Sequence, residues 1–205
     1  MDPGQADRVR DTLRAHGIRE GVHDPLMTLG ADLRERSRRT RKERAAMVSA
    51  RTGRRLGKVL GGDSSRVDIA EHIAALVPDH PYVQMHTHPA SPSAAFSERD
   101  AFNVVGVPGI EAMVVVGADD AWYFLSRLAA FAVPGTEREQ QARLRRVHED
   151  FWNEIDRRKP VYDALVGGGV LDGGEASHRL THEVWQSIAE GLNLRYDRVD
   201  APKGT

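Results

Sequence analysis

Two periods of apolar residues run along this chain, and they divide it into a mixed strand-and-helix part and a helical part. Val9, Leu13 and Ile18 stand among charges and predict a short amphipathic helix within residues 5–20, followed by a loop through His23, Asp24 and Pro25. From Ala45 to Ala50, around Met47 and Val48, the pattern becomes strand-like. Arg51-Thr52-Gly53 predicts a hairpin turn, with Arg55 to Leu60 as the partner strand. Gly61-Gly62-Asp63-Ser64-Ser65 predicts a loop. Ile69, Ile73, Leu76 and Val77 predict a helix ended by Pro78, and Tyr82 to His88 a strand cut by Pro89. A loop of Pro, Ser and Ala over 89–96 leads into a helix from Ser97 to Val105. Two apolar strands, Ala112 to Gly117 and Ala121 to Leu125, are joined by Gly117-Ala118-Asp119-Asp120, a strong hairpin signal.

After Pro134 the period is helical. Leu144, Val147, Phe151 and Ile155 mark one helix and Leu180, Val184 and Ile188 another, with Gly167-Gly168-Gly169 as the break between them. Asn193 to Val199 reads as a last short strand. The expected architecture is α/β of the α+β kind: a mixed sheet flanked by helices. Residues 1–33 form a helical and loop segment, 34–134 a core, and 135–205 a helical extension that packs on the core.

Composition narrows the chemistry. The chain has 205 residues, long enough to bury a core without staples. At 40% hydrophobic and 29% charged it reads as a soluble globular chain. It has no cysteine, which excludes disulfides, thiolate metal sites and cysteine nucleophiles, so any metal must be held by His, Asp, Glu or water. A net charge of -1 provides no global basic field for nucleic acid. No apolar run approaches the roughly 20 residues that span a bilayer, and the first residues lack a signal-peptide core. A cytoplasmic location and no membrane partner are therefore expected. Eleven basic residues fall in 34–58. They read either as a phosphate-binding patch or as a solvated helix and hairpin face, and no aromatic residue interleaves with them to stack bases.

The stretch richest in chemistry is His86-Thr87-His88-Pro89, followed after the loop by Ser97-Glu98-Arg99-Asp100. Residues i and i+2 of a strand share a face, so His86 and His88 point together as a shared ion requires. Pro89 lacks an amide hydrogen and holds His88 extended, which ends the strand where the imidazoles are presented. A helix bearing Asp100 follows. Two imidazoles and one carboxylate leave a position open for water, as in a catalytic zinc site. Ser97-x-x-Asp100 also approximates a capping box. His178 and His182 have i, i+4 spacing but no evident third ligand, which points to a surface or packing role; His72, His80 and His148 read as structural or exposed.

This combination resembles the JAB/MPN metallopeptidase family, also called JAMM, whose motif is a glutamate, His-Ser/Thr-His-Pro, about seven residues, then Ser-x-x-Asp. The spacer here, Pro89 to Phe96, is one residue longer than in many members. The run from Met113 to Gly117 and from Trp122 to Leu125 resembles the strand hairpin of bacterial and phage members, and the likeness covers residues 40–126. It implies an MPN/JAB-like core, with zinc held by His86, His88 and Asp100. It also implies Ser97 on the oxyanion side and an upstream glutamate as the base. Glu43, just before the first core strand, is the expected base, with Glu71 as the alternative. The implied activity is hydrolysis of a peptide or isopeptide bond in a protein or peptide substrate, a ubiquitin-like conjugate among the candidates. Two other family-level roles are a binding or scaffold module without turnover and a DNA-repair-associated relative.

Overall fold

The computed structural model describes residues 1–89, 95–128 and 136–202. Helices α1 (Pro3–Ala15) and α2 (Glu20–Thr40) lead into β1 (Arg44–Ser49) and β2 (Arg55–Gly61). The short α3 (Ala70–Ala74), β3 (Tyr82–Thr87), α4 (Glu98–Gly106), β4 (Ile110–Val116) and β5 (Trp122–Arg127) follow. Helices α5 (Glu137–Gly167) and α6 (Gly173–Ile188), a turn of 3-10 helix at Glu190–Leu192, and β6 (Leu194–Val199) complete the chain. The strands form one sheet in the order β2-β1-β3-β4-β5-β6. All neighbours pair antiparallel except β3 and β4. The observed class is thus a mixed sheet with helices on both faces.

The exception positions the site. Parallel neighbours need a crossover of a dozen or more residues rather than a tight turn. The β3–β4 crossover leaves from the end of β3 that carries the two histidines, and α4 lies on it. Every residue of β3 is buried, as expected for a central strand covered on both faces. One face, with Val83, Met85, Val114 and Phe124, packs under α1 and α2; the other, with Met113, Val115, Tyr123 and Leu125, packs under α4, α5 and α6.

Residues 20–40 depart from the expected loop through His23, Asp24 and Pro25. They form one helix with Pro25 inside it. Proline at that point removes one ladder hydrogen bond and crowds the carbonyl four residues back. The helix persists because Val22, Leu26 and Leu33 lie on one stripe against the sheet and are at most 1% exposed. Gly30 lies on that stripe where the helix meets Trp122: a Cβ there would fall 2.3 Å from the indole ring. α2 also runs across the expected boundary at 33/34.

The hairpins β1–β2 and β4–β5 form where the turn residues place them. The helix expected through Val77 shrinks to five residues. The helices expected within 136–192 are α5 and α6, with α5 continuing through Pro160 to Gly167. The last strand does more than cap the chain: β6 pairs with β5 and completes the sheet. The loop expected over 89–96 lies partly outside the described residues, at 90–94, as does the Pro134 boundary. Among the described residues, no helix is long and apolar enough to cross a membrane.

The basic run on α2 is largely ion-paired. Arg36 and Arg39 pair one turn back with Asp32 and Glu35, and Arg34 and Arg38 both reach Asp120 in the β4–β5 turn. His182 is spent on packing, with Nδ1 against the Tyr196 hydroxyl at 2.7 Å. His178 Nε2 meets the Tyr123 hydroxyl at 2.5 Å.

Candidate metal centre

His86 lies on β3, and His88 continues the strand beyond Thr87, where its N–H donates to the Val116 carbonyl at 3.2 Å. Alternation turns both rings to the α4 side, while Thr87 faces the other way and accepts from the Arg44 N–H at 3.1 Å. Nε2 of His86 is 3.0 Å from Nε2 of His88 and 3.3 Å from Asp100 Oδ1, and His88 Nε2 is 3.9 Å from Asp100 Oδ2. Among the described residues these three form the one group of His, Asp and Glu whose ligand atoms lie together, within 4.8 Å of one another.

The donor set fits a metal ion. Ligands at 2.0–2.1 Å from a tetrahedral zinc stand about 3.3 Å apart, close to the 3.0 and 3.3 Å that separate His86 Nε2 from His88 Nε2 and Asp100 Oδ1. Both histidines are nearly sealed from solvent, at 2% and 7% exposure. Two imidazole lone pairs that meet in a dry site repel unless a proton or a cation lies between them.

Asp100 is held by the start of its own helix. The Ser97 N–H and hydroxyl both donate to Oδ2, at 2.8 and 2.7 Å, and the Asp100 N–H donates back to Ser97 Oγ at 3.2 Å. This capping box occupies Oδ2 and leaves Oδ1 turned to His86. Burial works against the Asp100 anion, but the charges of His86 and His88 and the Ser97 bond override it and hold the carboxyl well below its usual range. The N-terminal end of α4 favours the same negative charge.

No family model, curated protein or solved structure matches this chain.

Glu43 reaches the site from the neighbouring strand. β1 pairs with β3 through Ala45 opposite His86, and Glu43, two residues before Ala45, lines the same cleft as the histidines. Its N–H donates to the Asp63 carbonyl at 2.6 Å and its carbonyl accepts from the Gly62 N–H at 3.0 Å, which pins it to the loop after β2. It is 6% exposed. Burial, partly countered by His86, pushes its carboxyl up to about 7. Glu71 is placed differently: it sits on α3, exposed, in an ion pair with Lys58 at 3.1 Å.

A cleft of about 490 Å³ opens over these groups. Glu43, His86, His88, Ser97 and Asp100 line it, together with Gln84 from β3. Arg66 lines it from the loop before α3, and Arg99 and Asn103 from α4. Sequence reasoning missed these last four. Gln84 carried a signal, as a polar residue two positions before His86 on a strand that reads as buried. Arg66 carried none, because a loop of no fixed period delivers it.

The raised carboxyl of Glu43 has a consequence for stability in the metal-free protein. Its folded value, about 7 against an ordinary 4.5, means that the native state binds the proton more tightly than the unfolded chain. The contribution of Glu43 to native stability is therefore lost as pH rises from 4.5 through 7. The neutral isostere in Glu43→Gln removes this loss. Metal-free Glu43→Gln should be more stable than wild type at pH 8, by roughly 3 kcal/mol at most. The difference should vanish below about pH 4.5. Urea denaturation at both pH values checks it, and equal stabilities at pH 8 would contradict a buried, raised carboxyl.

Proposed function

We propose that the chain is a zinc-dependent peptidase or isopeptidase of the JAMM type, built on an MPN/JAB-like core. One observation carries the reading: a two-histidine, one-carboxylate group with a buried carboxyl of raised affinity for protons beside it in the same cleft. Three protein ligands with an open position are the arrangement of catalytic rather than structural zinc.

His86, His88 and Asp100 would hold the ion through Nε2, Nε2 and Oδ1. When bound, zinc supplies Lewis acidity to the scissile carbonyl and lowers the pKa of a water. The chain's own residues do the rest. Glu43 takes a proton from the attacking water as its oxygen adds to the carbonyl carbon. The same carboxyl then delivers that proton to the amine as the C–N bond breaks. A carboxyl with a pKa near neutrality suits both halves of that transfer. Ser97 donates its hydroxyl proton to Asp100 and so keeps Oδ1 directed at the metal position. Service on the oxyanion side requires that hydroxyl to turn away from Oδ2.

The test is hydrolysis itself. Zinc-loaded protein should cleave linear peptides or isopeptide-linked conjugates of ubiquitin-like proteins. A chelator should abolish the cleavage, zinc should restore it, and thiol alkylation should leave it unchanged, since the chain has no cysteine. Stoichiometric zinc with no turnover on either substrate class would favour a binding module instead.

A further inference from the structure

Two buried polar atoms beside the site have no partner, and each is what the other lacks. Gln84 Oε1 and His86 Nδ1 are both enclosed and make no hydrogen bond. The residues are two apart on β3, so they share a face, and each is 2% exposed. Their cross-strand neighbours offer no relief. Gln84 lies between Met47 and Met113, and His86 between Ala45 and Val115. An amide oxygen only accepts hydrogen bonds, whereas an imidazole nitrogen donates when it carries the ring proton.

We propose that Gln84 is a positioning residue for His86, accepting a hydrogen bond from Nδ1–H and so fixing the tautomer that presents Nε2 to a metal. This rests on the reading that His86, His88 and Asp100 hold an ion. His86 Nε2 faces the other two ligands, so a lone pair there places the ring proton on Nδ1. That proton then lies on an enclosed atom with no partner, and Gln84, two residues away on the same strand face, carries an enclosed acceptor that also has none. The two side chains are not bonded to each other as they stand. The pairing requires a rotamer of Gln84 that brings Oε1 to Nδ1, and the terminal amide torsion of glutamine is soft. Metal-ligating histidines usually donate their other N–H to an acceptor of this kind, and loss of that acceptor typically weakens metal binding roughly 10–100-fold.

The experiment titrates metal-free protein with cobalt(II) and follows the visible absorption of the bound ion. Gln84→Leu keeps the bulk and removes the acceptor; Gln84→Glu keeps an acceptor. We expect Gln84→Leu to bind cobalt roughly 10–100-fold more weakly than wild type, and Gln84→Glu to bind within a few-fold of it. Undiminished affinity in Gln84→Leu overturns the proposal, as does equal loss in both variants. Wild type that binds no cobalt overturns the metal reading itself, a result distinct from tight wild-type binding unaffected by Gln84→Leu. If Gln84→Leu fails to fold, nitrogen-15 NMR of zinc-loaded wild type decides. A slowly exchanging proton on His86 Nδ1 supports the pairing, and a proton on Nε2 or rapid exchange at Nδ1 overturns it.

Discussion

His86→Ala should abolish the stabilisation that zinc confers on the wild-type protein. His86 Nε2 already stands 3.0 Å from His88 Nε2 and 3.3 Å from Asp100 Oδ1, close to the edge of a zinc tetrahedron, and the ligand atoms of all three residues lie within 4.8 Å of one another before any ion arrives. A site of this kind binds the folded chain and not the unfolded one, so free zinc at 1,000 times its dissociation constant adds about 4 kcal/mol of stability. For a chain of this size that raises Tm by roughly 8–16 °C. Removing His86 takes away one of three ligands and leaves Asp100 facing His88 alone at 3.9 Å. The variant should hold less than stoichiometric zinc after dialysis, and its melting temperature should not respond to the metal. Calorimetry with elemental analysis on the same preparations gives both readouts. A wild-type melting temperature indifferent to zinc would remove the basis for a metalloenzyme.

Glu43→Gln should cost about 10²–10⁴-fold in turnover, the range of general acid–base catalysis, while zinc content stays near that of wild type. The amide matches the carboxylate in size but cannot take a proton near neutral pH. The wild-type rate should fall as pH drops through the Glu43 pKa, because only the ionised carboxylate is a base. In the metal-free chain that value is about 7, and a bound cation, being of opposite charge, moves the falling limb below it. Glu43→Gln should lack that limb. Glu71→Gln is the control: it breaks an exposed pair with Lys58, worth at most about 1 kcal/mol, and should turn over at the wild-type rate. A dead Glu71→Gln beside an active Glu43→Gln would reverse the placement of the base. Measuring zinc with turnover separates loss of the base from loss of a ligand.

The legibility of the site follows the range of the interactions that build it. His86 and His88 on one face of a strand, and Ser97 capping the helix of Asp100, are set by neighbours within three residues. Strand alternation and capping chemistry sufficed to place them. The same holds for the turns that join β1 to β2 and β4 to β5. Periodicity also located α5 and α6, whose apolar stripes repeat over several turns.

Other features depend on contacts that no local pattern encodes. Pro25 sits within α2 because the buried stripe from Val22 to Leu33 outweighs one lost hydrogen bond, and the sheet that buries it comes later in the chain. Glu43 and Glu71 both precede the histidines. Only the antiparallel pairing of β1 on β3 brings Glu43 to the cleft of the histidines, and burial there is the main cause of its raised proton affinity. Arg66 arrives in the cleft on a loop. Local pattern alone placed His86 and His88 on one strand face and Asp100 at the start of the following helix. Register between strands and exclusion of water arise from groups tens of residues apart. They decided that Glu43, and not Glu71, is the carboxyl buried in the cleft with raised proton affinity, and that the Gln84 amide oxygen is enclosed on the strand face it shares with His86.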